Sequence, residues 1–327
     1  MPLTIGSCIV VGAGLSGLVA AQTLQVASVR VTVLEAEDKV GGRMRTDRVD
    51  GGVFDHGAQF FTVRSERFEE MVNGWLSAGV AEVWTRGFAD ANGEHKEDGY
   101  PRYKGTRGMN AIAEYLARSL DVRTDAEASV LRKSERGWEV VARDATHTAD
   151  ALILTPPSAL SLVNESGIPL PDDVRHALQN ISYDPCIAVM ALLDAPGRVP
   201  EPGGVQIGGD PLFWIADNQK KGLSGVPAVT IHASPEFSRE HMHSDGKKVA
   251  DLLLDEAKDY LRIGVKATAV YRWEHSAPIG LYDEPFVYVE GPPPLIICGD
   301  AYAGTKVEGA TLSGLAAAEK LIESGTR

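Results

Sequence analysis

The sequence predicts an α/β fold, built as one large domain or as two interleaved ones. Three observations predict it. A short apolar run, Ile9-Val10-Val11, leads into Gly12-Ala13-Gly14-Leu15-Ser16-Gly17 and then into a segment of helical periodicity. A second strand-like run, Val31-Thr32-Val33-Leu34, ends in the carboxylate of Glu35, and residues 151–154 and 295–298 show the same buried-strand pattern far downstream. The chain has 327 residues, enough to bury a sizeable core without disulfides or metals.

Each residue of the opening segment has a reason to be there. Gly12 permits a tight turn out of the strand, Gly14 lets the backbone approach a pyrophosphate, and Gly17 lets the helix pack against the strand. The helix over 15–26 carries Leu18, Ala21 and Leu24 on one face and aims its N-terminal amides and positive dipole end at the phosphates. Glu35 follows about twenty residues later, where a carboxylate accepts hydrogen bonds from ribose hydroxyls and repels a 2′-phosphate. Strand, glycine turn, helix, strand and acid in that order read as a Rossmann-like βαβ unit that holds an adenine dinucleotide. Gly41-Gly42-Arg43 adds a second glycine turn with an arginine that can offset pyrophosphate charge, which favours a flavin over a nicotinamide dinucleotide.

Farther along, Ala151-Leu152-Ile153-Leu154 reads as a buried strand that Thr155-Pro156-Pro157 stops. Gly291-Pro292-Pro293-Pro294 is a stiff crossing into the strand Leu295-Ile296-Ile297-Cys298, which Gly299-Asp300 follows. Residues 309–322 place Leu312, Leu315, Ala316 and Leu321 at helical spacing. There is no internal repeat and no low-complexity tract.

Composition narrows the function. Lys and Arg number 32 against 45 Asp and Glu, a net charge of −13 that argues against nucleic acid or an anionic membrane as the main partner. Cys8, Cys186 and Cys298 are odd in number and widely spaced, so neither a disulfide framework nor a zinc site is expected. His241-Met242-His243 supplies two histidines without a third ligand and reads as a surface loop, and no metal is expected. The dinucleotide strand starts close to Met1, and no apolar stretch is long enough to span a bilayer, so a cytoplasmic protein is expected.

Several segments carry a resemblance: Gly41-Gly42-Arg43-Met44, Phe54-Asp55-His56-Gly57-Ala58-Gln59-Phe60-Phe61-Thr62, Phe213-Trp214-Ile215-Ala216, Ile231-His232-Ala233-Ser234, Tyr271-Arg272-Trp273, Ile297-Cys298-Gly299-Asp300, and Val307-Glu308-Gly309-Ala310-Thr311-Leu312-Ser313-Gly314. On these the chain resembles the flavin-dependent amine oxidase superfamily and, within it, the bacterial renalase-like proteins. The resemblance implies an FAD-linked Rossmann-like domain (1–60, 104–165 and 290–327) interleaved with an α+β substrate domain (61–103 and 166–289), as in amine oxidases and p-hydroxybenzoate hydroxylase. It implies tightly but non-covalently held FAD, touched by Gly12, Gly14, Leu15, Ser16, Glu35, Ala36, Gly42, Arg43, Gly57, Ala58, Gln59, Val130, Thr155, Gly299, Asp300, Glu308, Gly309 and Ala310. Asp300 would meet the ribityl chain or cap the approach to a helix, and Glu308 equally reads as a solvated first-turn acid. The last helix, starting near Ala310 and Thr311, would aim its amides at the flavin N1–C2 edge.

The implied reaction is a two-electron oxidation followed by reoxidation of the flavin by oxygen to give hydrogen peroxide. The implied substrates are isomeric dihydro-NAD(P) species carrying the hydride on the wrong ring carbon, with NAD(P)⁺ as the product. An amine, polyamine or other CH–NH oxidase of the same fold, and a flavin-binding protein with little turnover, are the alternatives. Hydride transfer from a dihydropyridine needs stacked rings and excluded water rather than a protein base. By family position, Gln59 and Phe61 line the flavin face, and Trp214, His232, Trp273 and Tyr302 frame a flat ring or contact its carboxamide. His232, in the alternating run 229–233, reads equally as a structural histidine, and Trp273 as a core residue. Arg64 pairs with a phosphate or caps the helix that begins near Glu66. Lys306 stands where the amine oxidases carry a tyrosine of their aromatic cage; a cation there suits an anionic ligand, or snorkels into solvent. The expected partners are a small-molecule substrate and oxygen.

Overall fold

The structure, a computed structural model, describes residues 5–143, 145–261, 264–289, 291–302 and 304–325. Backbone contacts divide the chain into two compact units, one of Met1–Gly42, Ala113–Ser182 and Pro278–Arg327, the other of Arg43–Ile112 and Tyr183–Ala277.

The first unit is built on a six-stranded sheet. Ser7–Val11 lies between Arg30–Leu34 and Ala151–Leu154, parallel to both. Asp121–Arg123 extends the sheet in parallel beyond Arg30–Leu34, and Leu295–Ile297 does so beyond Ala151–Leu154. Val287–Val289 closes that side as an antiparallel strand. The central strands are continuously apolar and buried, the pattern of a sheet covered on both faces. The helices Leu15–Val26 and Lys306–Gly325 meet at backbone distance, because a Cβ on Gly314 would overlap the Ser16 carbonyl. A meander of Ala128–Ser134, Gly137–Ala142 and Ala145–Ala149 is pinned by buried Trp138, whose indole N–H donates to the Pro294 carbonyl at 2.9 Å.

The second unit holds a seven-stranded sheet in the order Val265–Pro278, Tyr183–Leu193, Ala228–Ala233, Leu212–Asp217, Gly204–Gln206, Ala81–Asp90, His95–Gly105. Alternation sorts its two faces. Ile187, Val189, Ala191, Ile215, Val229 and Ile231 form a core with Met242, Val249 and Leu253, from and beside the helices Pro235–His241 and Gly246–Glu256. Ala188, Trp214, Thr230 and His232 therefore belong to the opposite face. There the hairpin Thr46–Val49/Gly52–Asp55 packs Phe54 against Met190, Leu192 and Ala228.

These units and the expected domain boundaries differ over 43–60, 104–112, 166–182 and 278–289. The hairpin moves residues 46–55 to the second unit through Phe54, and Val287–Val289 joins the first through its pairing with Leu295–Ile297. Ser166 belongs to the first, its hydroxyl accepting from the Leu131 N–H at 2.8 Å. His241 ends a helix and Met242 is buried in the core beside it, so this segment is not the surface loop expected. Among the described residues no helix is long and apolar enough to cross a membrane, and no histidine, cysteine and carboxylate cluster with metal-ligand geometry occurs.

Candidate functional site

The glycine turn of the first unit has the geometry a dinucleotide needs. Gly12 takes φ +100°, and a side chain there would overlap the Thr155 hydroxyl, which itself donates to the Val11 carbonyl at 2.8 Å. Gly14 precedes the helix in extended conformation, φ −71° and ψ 177°, and the space where its side chain would stand is open. The helix Leu15–Val26 has no side-chain cap, so its first-turn amides are left to an anion. Glu35 is 7 % exposed; its Oε2 accepts the Ala13 N–H at 2.6 Å and its Oε1 the Glu37 N–H at 3.0 Å. Burial pushes its pKa up and these two N–H groups pull it back. Each carboxylate oxygen retains a lone pair for a ribose hydroxyl. The second glycine turn folds onto the first: Gly41 donates to the Ala13 carbonyl at 2.8 Å, and a Cβ on Gly42 would stand 3.4 Å from the Gly14 Cα. Ala36 is exposed beside Glu35, and Val130 is half-buried opposite Val141.

The C-terminal part of this unit corrects one expectation. The last helix begins at Lys306, not near Ala310 and Thr311. Gly309 already donates to the Thr305 carbonyl at 3.1 Å, so the residues after it lie inside the helix, and the first turn is 306–309. Close backbone packing sets this start, since a Cβ on Gly309 would overlap the Gly304 carbonyl. Lys306 is exposed with φ +68°, and Glu308 and Ala310 are half-buried. Gly299 takes φ +152° and donates to the Ser313 hydroxyl at 2.9 Å. Asp300 and Tyr302 are buried, the Tyr302 ring edge-on to Tyr282 at 5.9 Å. Cys298 lies 3.5 Å from the Ser16 hydroxyl; burial pushes its thiol up to about 12, and pushes Cys8 up as well, so both behave as inert small hydrophobes.

In the second unit, Gly57 is seated on the Arg43 carbonyl, which accepts the Ala58 N–H at 2.8 Å. The Arg43 guanidinium donates to the Ser276 carbonyl at 3.3 Å and stands 5.6 Å from the Tyr183 ring centroid. Gln59 is 6 % exposed, and its amide N–H groups go to the carbonyls of Asp55 at 2.6 Å and Gly57 at 3.1 Å. Its Oε1 is left buried without a partner. A buried acceptor left unmet costs about 1–3 kcal/mol, which a ligand N–H would recover. The open glycine cradle of the first unit fits a bound dinucleotide cofactor.

The register brings three expected residues onto one face of the second sheet. Trp214 and Ala188 are the cross-strand partners of His232 on either side. Beyond the Ala188 strand, Trp273 of Val265–Pro278 reaches back, and its indole N–H donates to the His56 carbonyl at 2.9 Å. The same carbonyl takes the His232 Nε2 at 3.0 Å. Two expected residues lie elsewhere. Phe61 is buried among Phe68, Trp75 and Tyr103, a packing position. Arg64 stacks on Tyr100 at 3.4 Å, and the helix Glu66–Ser77 is capped instead by Ser65, whose hydroxyl accepts the Phe68 N–H.

Burial pushes the His232 pKa down from 6.5 to about 4, opposed by the hydrogen bond to His56. Above pH 6.5 both folded and unfolded chains carry it neutral; below that the unfolded chain binds the proton first. Stability is therefore lost as pH falls from 6.5 toward 4, by about 3 kcal/mol for this group. Urea unfolding at pH 7, 5 and 4 is expected to show this loss, and a His232→Gln variant to lack that share of it.

Sequence reasoning assigned no role to Asp55, His56 or Lys221. Asp55 and Lys221 form a buried ion pair at 2.6 Å. His56 is buried flat against Trp273, ring centroids 5.3 Å apart, with Asp47 3.2 Å from its Nε2. The quoted segment Phe54-Asp55-His56-Gly57 contained two of them, whereas Lys220-Lys221 looks like any solvated basic pair.

Comparison with known proteins agrees with this geometry. The family described as an NAD(P)-binding Rossmann-like domain matches residues 10–75, and the flavin containing amine oxidoreductase family matches residues 64–322. Probable polyamine oxidase 4 of Arabidopsis thaliana is 52 % identical over 54 residues, and an L-amino acid dehydrogenase of Synechocystis is 38 % identical over 73. These matches span 16 % and 22 % of this chain and only 11 % and 16 % of those proteins. Among solved structures, cyclohexylamine oxidase from Brevibacterium oxydans superposes with a TM-score of 0.76 at 13 % identity, covering 100 % of each chain. Putrescine oxidase bound to putrescine gives 0.71 at 17 % identity, covering 98 % of this chain and 99 % of its own. At such identities the likeness shows the fold, while the family match spans most of the sequence. The chain belongs to the flavin containing amine oxidoreductase family, with FAD as its cofactor.

Proposed function

We propose that this protein is an FAD-dependent, renalase-like oxidase that removes a hydride from isomeric dihydro-NAD(P), yielding NAD(P)⁺, with molecular oxygen reduced to hydrogen peroxide. The observation that carries this reading is the row of Trp214, His232 and Trp273 on one face of the second sheet, a half-buried neutral imidazole between two indoles, of which Trp214 is itself packed against Phe60, Trp84 and Phe88. Asp55 is held by Lys221 at 2.6 Å, and Asp47 lies beside His56 and Arg45. A flat, uncharged ring can stack against indole faces of this kind.

FAD, when bound, would supply the two-electron chemistry, a hydride acceptor that oxygen can reoxidise to give hydrogen peroxide. The chain's own residues would then have only to bind, orient and exclude water: in the first unit the glycine cradle and Glu35 would hold the adenosine half of the cofactor, and in the second unit the Trp214–His232–Trp273 row would orient the oxidised ring. The second reading, oxidation of an amine at its CH–NH bond, is favoured by the likeness to putrescine oxidase and cyclohexylamine oxidase.

The test is anaerobic mixing of the holoprotein with the 2- and 6-dihydro isomers of NAD and NADP, with ordinary NADH, and with putrescine and cyclohexylamine, following bleaching of the visible flavin band. Fast bleaching by the dihydro isomers is expected. Bleaching by the amines alone would establish the second reading, and bleaching by none would leave a flavin-binding protein without either activity.

A further inference from the structure

We propose that the outer edge of the strand Val265–Pro278 is a self-association surface, which a second copy of this chain covers by antiparallel strand pairing about a two-fold axis at Val270. The inference concerns the second sheet alone and does not depend on the substrate reading.

Val265–Pro278 is the end strand of the seven-stranded sheet. It pairs with Tyr183–Leu193 on one side, and among the described residues no strand pairs with it on the other. All 14 of its residues are half-buried or exposed, Ala267, Ala269, Val270 and Trp273 included, whereas the inner strands Ala228–Ala233 and Leu212–Asp217 are buried at all but one position each. A long edge of this kind is a template for a further strand. The opposite edge of the sheet, His95–Gly105, is blunted: Pro101 lacks an N–H, Gly99 takes φ +82°, and Phe61 exchanges both backbone hydrogen bonds with Tyr103. Residues 265–277 contain neither proline nor glycine.

The side chains select the partner. Val270 packs toward the helices Pro235–His241 and Gly246–Glu256, and Arg272 on the same face donates to the Ser244 carbonyl at 2.7 Å. Alternation puts Lys266, Thr268 and Glu274 on that face too. Antiparallel pairing centred at Val270 sets Lys266 opposite Glu274 of the second copy, twice by symmetry, and Thr268 opposite Arg272. On the other face it sets Ala267 opposite Trp273 and Ala269 opposite Tyr271, small against large. Neighbouring registers lose this match. Centring at Ala269 puts Lys266 against Arg272, a like-charge pair, and centring at Tyr271 puts Arg272 against Val270. Centring at Trp273 draws in Ser276, whose carbonyl takes the Arg43 guanidinium at 3.3 Å, and Pro278, which has no N–H to give. In a chain of net charge −13 the strand carries two cations, Lys266 and Arg272, and the single anion Glu274, so the edge itself is not part of the acidic surface.

Sedimentation velocity of the flavin-loaded protein, over roughly micromolar to hundred-micromolar concentrations, tests the pairing. A reversible dimer is expected. Lys266→Glu and Glu274→Lys each place two like-charge pairs across the axis, and each is expected to raise the dissociation constant at least about tenfold. The double reversal Lys266→Glu/Glu274→Lys exchanges the partners and is expected to return the dissociation constant to within about threefold of wild type. Both side chains are exposed, so the urea unfolding of all three variants is expected to match wild type, which separates lost pairing from lost fold. A wild-type protein that stays monomeric throughout, or a dimer indifferent to the single reversals, would overturn the proposal, as would a double reversal that dimerises no better than the singles.

Discussion

Replacing Asp55 by alanine is expected to cost about 3–5 kcal/mol of unfolding free energy, the largest effect of any single substitution considered for this chain. Asp55 is fully buried, and its Oδ2 receives the Lys221 ammonium at 2.6 Å. Its Oδ1 receives the Thr46 hydroxyl at 2.5 Å and the Met109 N–H at 2.9 Å. Truncation leaves all three donors unmet and, above all, strands a buried ammonium beside the Trp84 ring at 4.8 Å and under the like charge of Lys104. Desolvation already pushes the Lys221 pKa below the ordinary lysine range, with Asp55 pulling it back, so removing the carboxylate lets desolvation act unopposed. The lysine then sheds its proton more readily in the folded state, and the variant's stability is expected to rise more steeply than that of wild type as pH is raised toward the unfolded lysine value. Lys221→Met should cost less than Asp55→Ala, because Thr46 and Met109 still satisfy part of the carboxylate. The double variant Asp55→Ala/Lys221→Met should be more stable than the sum of the singles implies, since no unpaired charge remains. Urea unfolding of the four proteins at pH 7 and 9 checks all three statements. Additive losses would show that the pair is not coupled.

This pair also marks where the sequence stopped being readable. The glycine cradle was legible because its requirements are local: Gly12, Gly14 and Gly17 lie within six residues, and the strand before them and the helix after them announce themselves by periodicity. Glu35 sits at the end of the next strand. The row of Trp214, His232 and Trp273 in the second unit has no such signature. Trp214, His232 and Trp273 come together through strand register, by pairing across segments separated by up to dozens of residues, and the family resemblance named them without placing them. Asp55 and Lys221 are 166 residues apart, and nothing next to either shows that the other waits in the core. Phe61 and Phe60 alternate across the strand direction, one entering the packing around Phe68 and Trp75, the other joining Trp84, Phe88 and Trp214. Choosing between them needs knowledge of which face each presents, which two neighbouring phenylalanines cannot supply. The start of the last helix was misplaced for a related reason: the signal used was apolar spacing from Leu312 onward, while the true start is set by the close approach of Gly304 and Gly309.

Two alanine substitutions three residues apart are expected to separate holding the cofactor from holding the fold. At Gly17 a Cβ would overlap the Gly12 carbonyl and stand 3.2 Å from Val10 Cγ1. Both are fixed parts of the first strand and its turn, so the helix Leu15–Val26 itself must shift outward. That shift also disturbs the close crossing of Ser16 with Gly314 on the last helix. Gly17→Ala should therefore lower stability by about 1–3 kcal/mol, the usual cost of overpacking, and release FAD as the amides of the helix leave their places. At Gly14 nothing stands within 4 Å of the added Cβ, and the backbone is extended. Exchanging glycine for alanine at a helix N-cap costs the fold only about a few tenths to 1 kcal/mol. The same methyl, however, projects into the space a pyrophosphate would enter, and keeps it from the amides of the first turn. Gly14→Ala should thus weaken FAD binding at least tenfold, roughly 1.4 kcal/mol, while its apoprotein unfolds close to the wild-type apoprotein. Fluorescence titration of the two apoproteins with FAD, beside their urea unfolding curves, measures both quantities. Equal binding by Gly14→Ala and wild type would mean that the phosphates do not approach this turn, and the assignment of the cradle would fall with it.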